Sequence, residues 1–155
     1  MYKRFIMDVD GVLNDGMLYW GVDGKPFKAF GNYDHDGLKL LRDHLDIEFI
    51  SADEVGWHIT KSRCDHMKFP LTMVKEKDRL SFVLSKGLPS EIIYMGDGPY
   101  DAKIFPHVGL SIAPAQAWKT AIENADYVTD REGGKGAVME ACVHIMYLMD
   151  IENEF

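Results

Sequence analysis

Three times along this chain a short apolar run ends abruptly on a polar residue, and no other feature restricts the fold as much. Phe5-Ile6-Met7 stops at Asp8, Phe49-Ile50 at Ser51, and Ile92 to Met95 at Gly96-Asp97. Short apolar runs of this kind suit strands buried on both faces. Strands are expected at residues 4–9, 47–51, 70–74, 92–95, 108–112 and 127–129. Between them the spacing turns helical. Leu38, Leu41 and Leu45 mark a helix over 35–45, and further helices fit 55–67, 78–85 and 115–123. Val138, Ala141, Ile145 and Leu148 form one stripe of a closing helix over 136–149. Strand and helix in alternation imply an α/β fold with a doubly wound, mostly parallel sheet. Residues 16–30 interrupt the alternation as a small β-hairpin inserted after strand 1, turned at Asp23-Gly24. In such sheets ligands gather at the carboxyl ends of the strands. Asp8, Asp10, Ser51 and Asp97 are therefore expected on one rim.

The chain has 155 residues and 46% hydrophobic content, enough for one domain with a real core over 1–155. Its 17 Lys+Arg against 25 Asp+Glu leave a net charge of −8. That balance argues against nucleic acid or an anionic membrane as partner. Cys64 and Cys142 have no metal-ligand spacing and read as reduced, buried thiols. The apolar stretch before Asp8 is too short for a signal peptide or a membrane span, so a cytoplasmic location is expected.

Asp8 and Asp10 stand two residues apart as the first strand ends, and Asp97 and Asp101 follow a later one. Carboxylates alone, with no His or Cys among them, suit a hard cation, and beside a phosphate that cation is Mg²⁺. A single Asp at a strand end is often a turn former or helix cap. Three such places in one chain make that plain reading a poor account.

Asp8-Val9-Asp10-Gly11-Val12-Leu13, Phe49-Ile50-Ser51 and Gly96-Asp97 with Asp101 resemble, in order and spacing, the motifs of the haloacid dehalogenase phosphatases. Asp8 to Gly16, the hairpin, Asp34, and Gly133-Gly134-Lys135-Gly136-Ala137-Val138 are similar to the 3-deoxy-D-manno-octulosonate 8-phosphate phosphatases of that superfamily. The resemblance implies a capless, Mg²⁺-dependent homotetramer whose hairpins join around its axis, each site being closed by a neighbouring subunit. It implies a small phosphorylated sugar or sugar-acid substrate, an octulosonate or nonulosonate phosphate. Asp8 is then the nucleophile and Asp10 the general acid/base. Asp8, Asp10 through its main-chain carbonyl, and Asp97 hold the metal, with Asp101 orienting them, and Ser51 donates to the phosphoryl group. A cation is also required, and Lys75, Lys77 and Arg79 compete for the role, with Lys77 preferred and Arg79 second. Substrate contacts are expected from Asp34, Asp53, Arg79 and Lys135.

Two departures bear on the substrate. Asp53 and Met139 stand where the family often has Arg. A sugar acid needs cations for its carboxylate, and Lys61, Arg63 and Lys135 are the candidates. If none reaches the site, a neutral sugar phosphate is the alternative. A further alternative is a catalytically weak oligomerisation module related to the domain appended to sialic acid cytidylyltransferases. Such modules tend to lose the acids that this chain keeps.

Overall fold

A computed structural model describes residues 1–152. Six strands form one sheet: β1 (Arg4–Asp8), β2 (Asp46–Ser51), β3 (Leu71–Met73), β4 (Ile92–Met95), β5 (Leu110–Ala113) and β6 (Tyr127–Val128). Their spatial order is β3-β2-β1-β4-β5-β6, and every pairing is parallel. Six α-helices connect them: α1 (Asp34–Leu41), α2 (Trp57–Met67), α3 (Arg79–Leu84), α4 (Pro99–Ala102), α5 (Lys119–Asn124) and α6 (Ala137–Leu148). No large cap is present among the described residues, and no helix among them is long and apolar enough to cross a membrane.

The unbroken apolar runs have a direct cause. Alternate residues of a strand point to opposite faces, and here both faces are covered. Phe5 and Met7 enter a core shared with Leu38 and Leu41 of α1, Met67 of α2, and Val138 and Ile145 of α6. Ile6 enters a second core with Val83 of α3, Ala102 of α4 and Ala121 of α5. The chain winds outward in both directions from β1 and β4. Asp8 and Asp97 follow those two strands, so both fall at the crevice where the order reverses.

Several expected boundaries shift for local reasons. The helix expected over 35–45 ends at Leu41, yet Leu45 stays buried as the chain turns into β2. The helix expected from residue 78 is preceded by a 3₁₀ turn, Glu76–Asp78. The inserted segment is a tight turn without a strand ladder. Gly21 and Gly24 exchange backbone hydrogen bonds of 2.7 and 3.1 Å, and one further bridge joins Asn14 to Phe30. A two-stranded ribbon alone is marginal, and side chains secure this one. Tyr19 packs on Phe27 with ring centres 4.9 Å apart, and Lys25 and Lys28 point inward to acids beneath. Met17, Leu18, Trp20, Val22 and Phe27 remain exposed on its outer side.

Asp34 requires a correction. It does not line the catalytic rim. It is fully buried at the start of α1, and its Oδ1 accepts the Met139 N–H of α6 at 3.1 Å. Burial raises its carboxyl above the usual range. Asp34 is the joint between two helices that pack closely, not a substrate contact. The neighbouring Met139 is engaged in the same joint through its main chain.

Candidate active site

The first loop approaches the second through a glycine. Gly11 has φ +85°, and a Cβ there would lie 2.0 Å from Asp97 Oδ2. Only a residue without a side chain lets the two acidic loops meet. Gln116 holds the arrangement from outside, donating to the Gly11 carbonyl at 2.6 Å and accepting the Gly133 N–H at 2.7 Å. Trp118 N–H donates to the Asp97 carbonyl at 2.7 Å.

Asp8, Asp97 and Asp101 each present an oxygen within 4.8 Å of the others. Burial pushes the Asp8 carboxyl well above its ordinary range, and Asp101 adds to the rise against the pull of Arg79. Burial, and then Asp101, push Asp97 up to about 7. Buried carboxylates crowded in this way favour a cation among them. The donors are all oxygens, so the site fits a hard divalent metal.

The members of the cluster differ in what they have left to offer. Asp101 is fully engaged: Oδ1 accepts from Arg79 Nη1 at 2.7 Å and Tyr94 Oη at 2.6 Å, and Oδ2 from the N–H groups of Asp97 and Gly98 at 3.1 and 2.9 Å. The single turn of α4 folds it back beneath Asp97. These four donors make it an organiser of the three-acid cluster. The Asp10 carboxylate stands apart from the cluster, with Oδ1 bonded to Asn14 and Lys28. Asp8 is held by the Val9 N–H and the Arg79 guanidinium, and the Asp97 carboxylate accepts no side-chain hydrogen bond among the described residues.

Arg79, and not the preferred Lys77, is the cation that reaches Asp8. Arg79 Nη2 donates to Asp8 Oδ1 at 3.1 Å, and Nη1 lies 3.0 Å from Asp8 Oδ2. Lys75 and Lys77 are exposed. The reason is the 3₁₀ turn. Three residues per turn bring Glu76 and Arg79 onto one side and rotate Lys77 away. Ser51 ends β2 beside Asp8. Its Oγ accepts the Asp53 N–H at 3.1 Å, so the hydroxyl proton remains available to donate.

A cavity of about 490 Å³ opens over these groups, with Asp8, Asp10 and Arg79 joined by Lys25, Asp53, Val55 and Glu76. A larger hollow of about 680 Å³ involves the amino-terminal ends of β1 and β2. There Arg4 pairs with Asp46 and Lys86 with Glu48, and no acidic cluster faces it, so the chemistry belongs to the smaller cavity.

Asp53 reaches the cavity as expected, but it is already neutralised. Its Oδ2 lies 2.7 Å from Lys25 Nζ and 2.8 Å from Lys28 Nζ. Burial would raise its carboxyl, but the two lysines override that and hold it at about 2. Lys135 does not join the site. It is exposed and pairs with Glu132, while the glycine-rich segment reaches the first loop through its backbone, Gly134 N–H to Val12 carbonyl. Lys61 pairs with Asp65 on the exposed side of α2, and Arg63 stacks over Phe30. Neither lines the cavity.

Sequence reasoning missed Lys25, Lys28, Asn14 and Gln116. Asn14 had a visible signal, as a buried-side Asn directly after the acidic motif. The lysines had one too, as the only cations of the inserted segment.

A family model for haloacid dehalogenase-like hydrolases matches residues 78–141. The 3-deoxy-D-manno-octulosonate 8-phosphate phosphatase of Salmonella typhi is 35% identical over 146 residues, covering 90% of this chain and 77% of that protein. The structure of the corresponding Moraxella catarrhalis phosphatase, in complex with a magnesium ion, a phosphate ion and a KDO molecule, superposes with a TM-score of 0.83 at 28% identity, covering 94% of this chain and 86% of that one. A cobalt-bound Haemophilus influenzae phosphatase of the same description gives 0.84 at 29% identity, over 96% and 90% of the two chains.

The two cations separate cleanly by mutation. We expect Arg79→Ala to lower turnover by about 100-fold or more, since it removes the charge facing the transferring group. Lys77→Ala should stay within about twofold of the parent, as surface changes do. Steady-state kinetics on both variants checks this, and a comparable loss in Lys77→Ala would return the role to that residue.

Proposed function

For a chain that belongs to the haloacid dehalogenase-like hydrolases, within the 3-deoxy-D-manno-octulosonate 8-phosphate phosphatase-like branch, and that is a phosphatase, we propose hydrolysis of a phosphorylated sugar acid through an aspartyl-phosphate on Asp8. The observation that carries this reading is the environment of Asp8. It is a nearly buried carboxylate at the end of β1, gripped by the Arg79 fork and adjoining a second acid, Asp97.

In this mechanism Asp8 attacks phosphorus and the bond from phosphorus to the sugar oxygen breaks. The sugar oxygen leaves with the bonding pair and takes a proton from Asp10. Asp10 then accepts a proton from water as that water attacks the aspartyl-phosphate, releasing phosphate and restoring the Asp8 carboxylate and the protonated Asp10. Arg79 transfers its two donors from Asp8 to the phosphoryl oxygens, and the Ser51 hydroxyl supplies another. Asp8, Asp97 and the Asp10 main-chain carbonyl would hold Mg²⁺, which neutralises charge between the anionic nucleophile and the anionic phosphate.

The substrate class rests on the relatives, which are named for 3-deoxy-D-manno-octulosonate 8-phosphate. Lys25, which lines the cavity, is the cation assigned here to the sugar carboxylate. A second reading, a neutral sugar phosphate, is favoured by one observation: Asp53 ties up both lysines. We also propose a homotetramer, because the inserted segment exposes Met17, Leu18, Trp20, Val22 and Phe27 together. We further propose that the C-terminal segment, whose residues 153–155 lie outside those described, sits near a neighbour's site. The free, buried thiols Cys64 and Cys142 accord with the proposed cytoplasmic location.

Phosphate release from 3-deoxy-D-manno-octulosonate 8-phosphate, set beside a neutral hexose 6-phosphate, decides the substrate. We expect the ulosonate to have the higher kcat/KM, EDTA to abolish turnover, Mg²⁺ to restore it, and Asp8→Asn to be inactive. Preference for the neutral hexose would transfer the assignment to the second reading.

Metal binding should be linked to protons. In the metal-free protein Asp97 titrates at about 7, so below that pH a metal must displace its proton. Apparent Mg²⁺ affinity is therefore expected to climb with pH and level off above neutrality. Calorimetry at about pH 6 in two buffers of different ionisation heat should show proton release that fades by about pH 8.5. Equal proton release at both would show that Asp97 is not the linked ligand.

Light scattering at micromolar concentration should give four times the chain mass, and a charged residue in place of Trp20 should lower it. A monomeric parent protein would refute the assembly.

A further inference from the structure

Asp10 is held from one side only. Its Oδ1 accepts from Asn14 Nδ2 at 2.7 Å and from Lys28 Nζ at 2.8 Å, and among the described residues no donor is placed on Oδ2. The lysine arrives from the inserted segment, yet its side chain is only 5% exposed. Its ammonium donates to Asp10 Oδ1 and Thr60 Oγ1, each at 2.8 Å, and forms an ion pair with Asp53 Oδ2 at 2.8 Å. Gly56, which precedes α2, makes room for this. A Cβ there would lie 2.6 Å from Lys28 Cε and 2.4 Å from Asp53 Oδ2. Asp10, Thr60 and Asp53 thus enclose the ammonium, which does not line the cavity and faces protein groups instead of a substrate. What it does is fix the carboxylate above it.

We propose that Lys28 is the positioning residue of the general acid/base. Together with Asn14 it fixes Oδ1 of Asp10 and leaves Oδ2 as the oxygen that exchanges the proton. In the first half-reaction the Oδ2–H bond breaks and its proton goes to the departing sugar oxygen. In the second, the attacking water returns a proton to Oδ2. The inference rests on the phosphatase reading with Asp10 as acid/base, and it adds the atom and the residue that orients it. Proton transfer depends on geometry before all else. A carboxylate free to rotate would present either oxygen, in directions that the leaving group does not share.

The test uses two leaving groups. A sugar alkoxide needs a proton as it departs, whereas p-nitrophenolate leaves without one. kcat/KM reports the steps through departure of that group, so it isolates the acid role from the later base role. The better of the two sugar phosphates compared above is run against p-nitrophenyl phosphate, with the full chain and Mg²⁺. Lys28→Gln is expected to lower kcat/KM for the sugar ester by about 30-fold and for the aryl ester by less than about threefold. On an Asp10→Asn background the same change should cost nothing further, because the lysine acts through Asp10. Similar losses on both esters, or no loss on either, would overturn the assignment, and so would an additive loss in the double variant. Should the Gln variant fail to fold, Thr60→Val removes one tether of the ammonium at constant shape. It should reduce the sugar-to-aryl ratio by about threefold, and an unchanged ratio would again overturn the role. If the parent enzyme hydrolyses neither ester, the phosphatase reading itself fails. If it hydrolyses both and the variants lose activity uniformly, only the role of Lys28 fails.

Discussion

The guanidinium of Arg79 lies against two carboxylates that few folds would bury side by side. It lies 3.0 Å from Asp8 and 2.7 Å from Asp101, with Asp97 in the same cluster. Two unit charges 4 Å apart interact by about 4 kcal/mol at the effective dielectric of a protein surface. Three like charges here, relieved by one cation, leave a deficit of two positive charges, which a divalent metal matches. The rest of the site follows from managing that repulsion. Asp101 is surrounded by four donors, and Asp8 is held by Arg79. The α/β frame contributes by ending β1 and β4 next to each other, where the winding reverses.

A second group of charges, a few residues away, does different work. Lys25 and Lys28 pull the inserted segment down onto Asp53 and Asp10. That segment has almost no strand pairing of its own, so buried ion pairs take the place of a backbone ladder. Its two sides have separate duties. The inner side completes the rim, and the outer side presents an apolar surface. A single stretch of chain thereby joins exposed apolar side chains to the ion pairs that hold Asp10.

What the sequence disclosed and what it withheld divide along physical lines. Strands covered on both faces must be apolar throughout, so β1, β2 and β4 were legible, as were the polar residues that end them. The α/β class and the family motifs followed from those ends. The identity of the cation was not legible. Lys75, Lys77 and Arg79 sit within five residues, and the choice depends on a 3₁₀ turn that shifts the phase of the side chains. Asp34 misled for a related reason. Its motif position was right, but its partner, the Met139 backbone, lies more than a hundred residues away. Lys28 stood out as a cation of the inserted segment, but nothing local says what it binds. Its acceptors come from the first loop, from the end of β2 and from α2, and only the folded chain brings them together.

Position 53 shows how one side chain commits its neighbours. It is an acid embraced by two lysines. An arginine at that one position would set three cations against one another in a half-buried pocket and would take from Lys28 its ion-pair partner. A basic side chain is thus no neutral exchange here. Lys25 and Lys28 would have to change first, and Lys28 also holds Asp10. The order in which these residues can be exchanged is imposed by their contacts, and a comparison that treats the positions as independent would misjudge which relatives share a specificity.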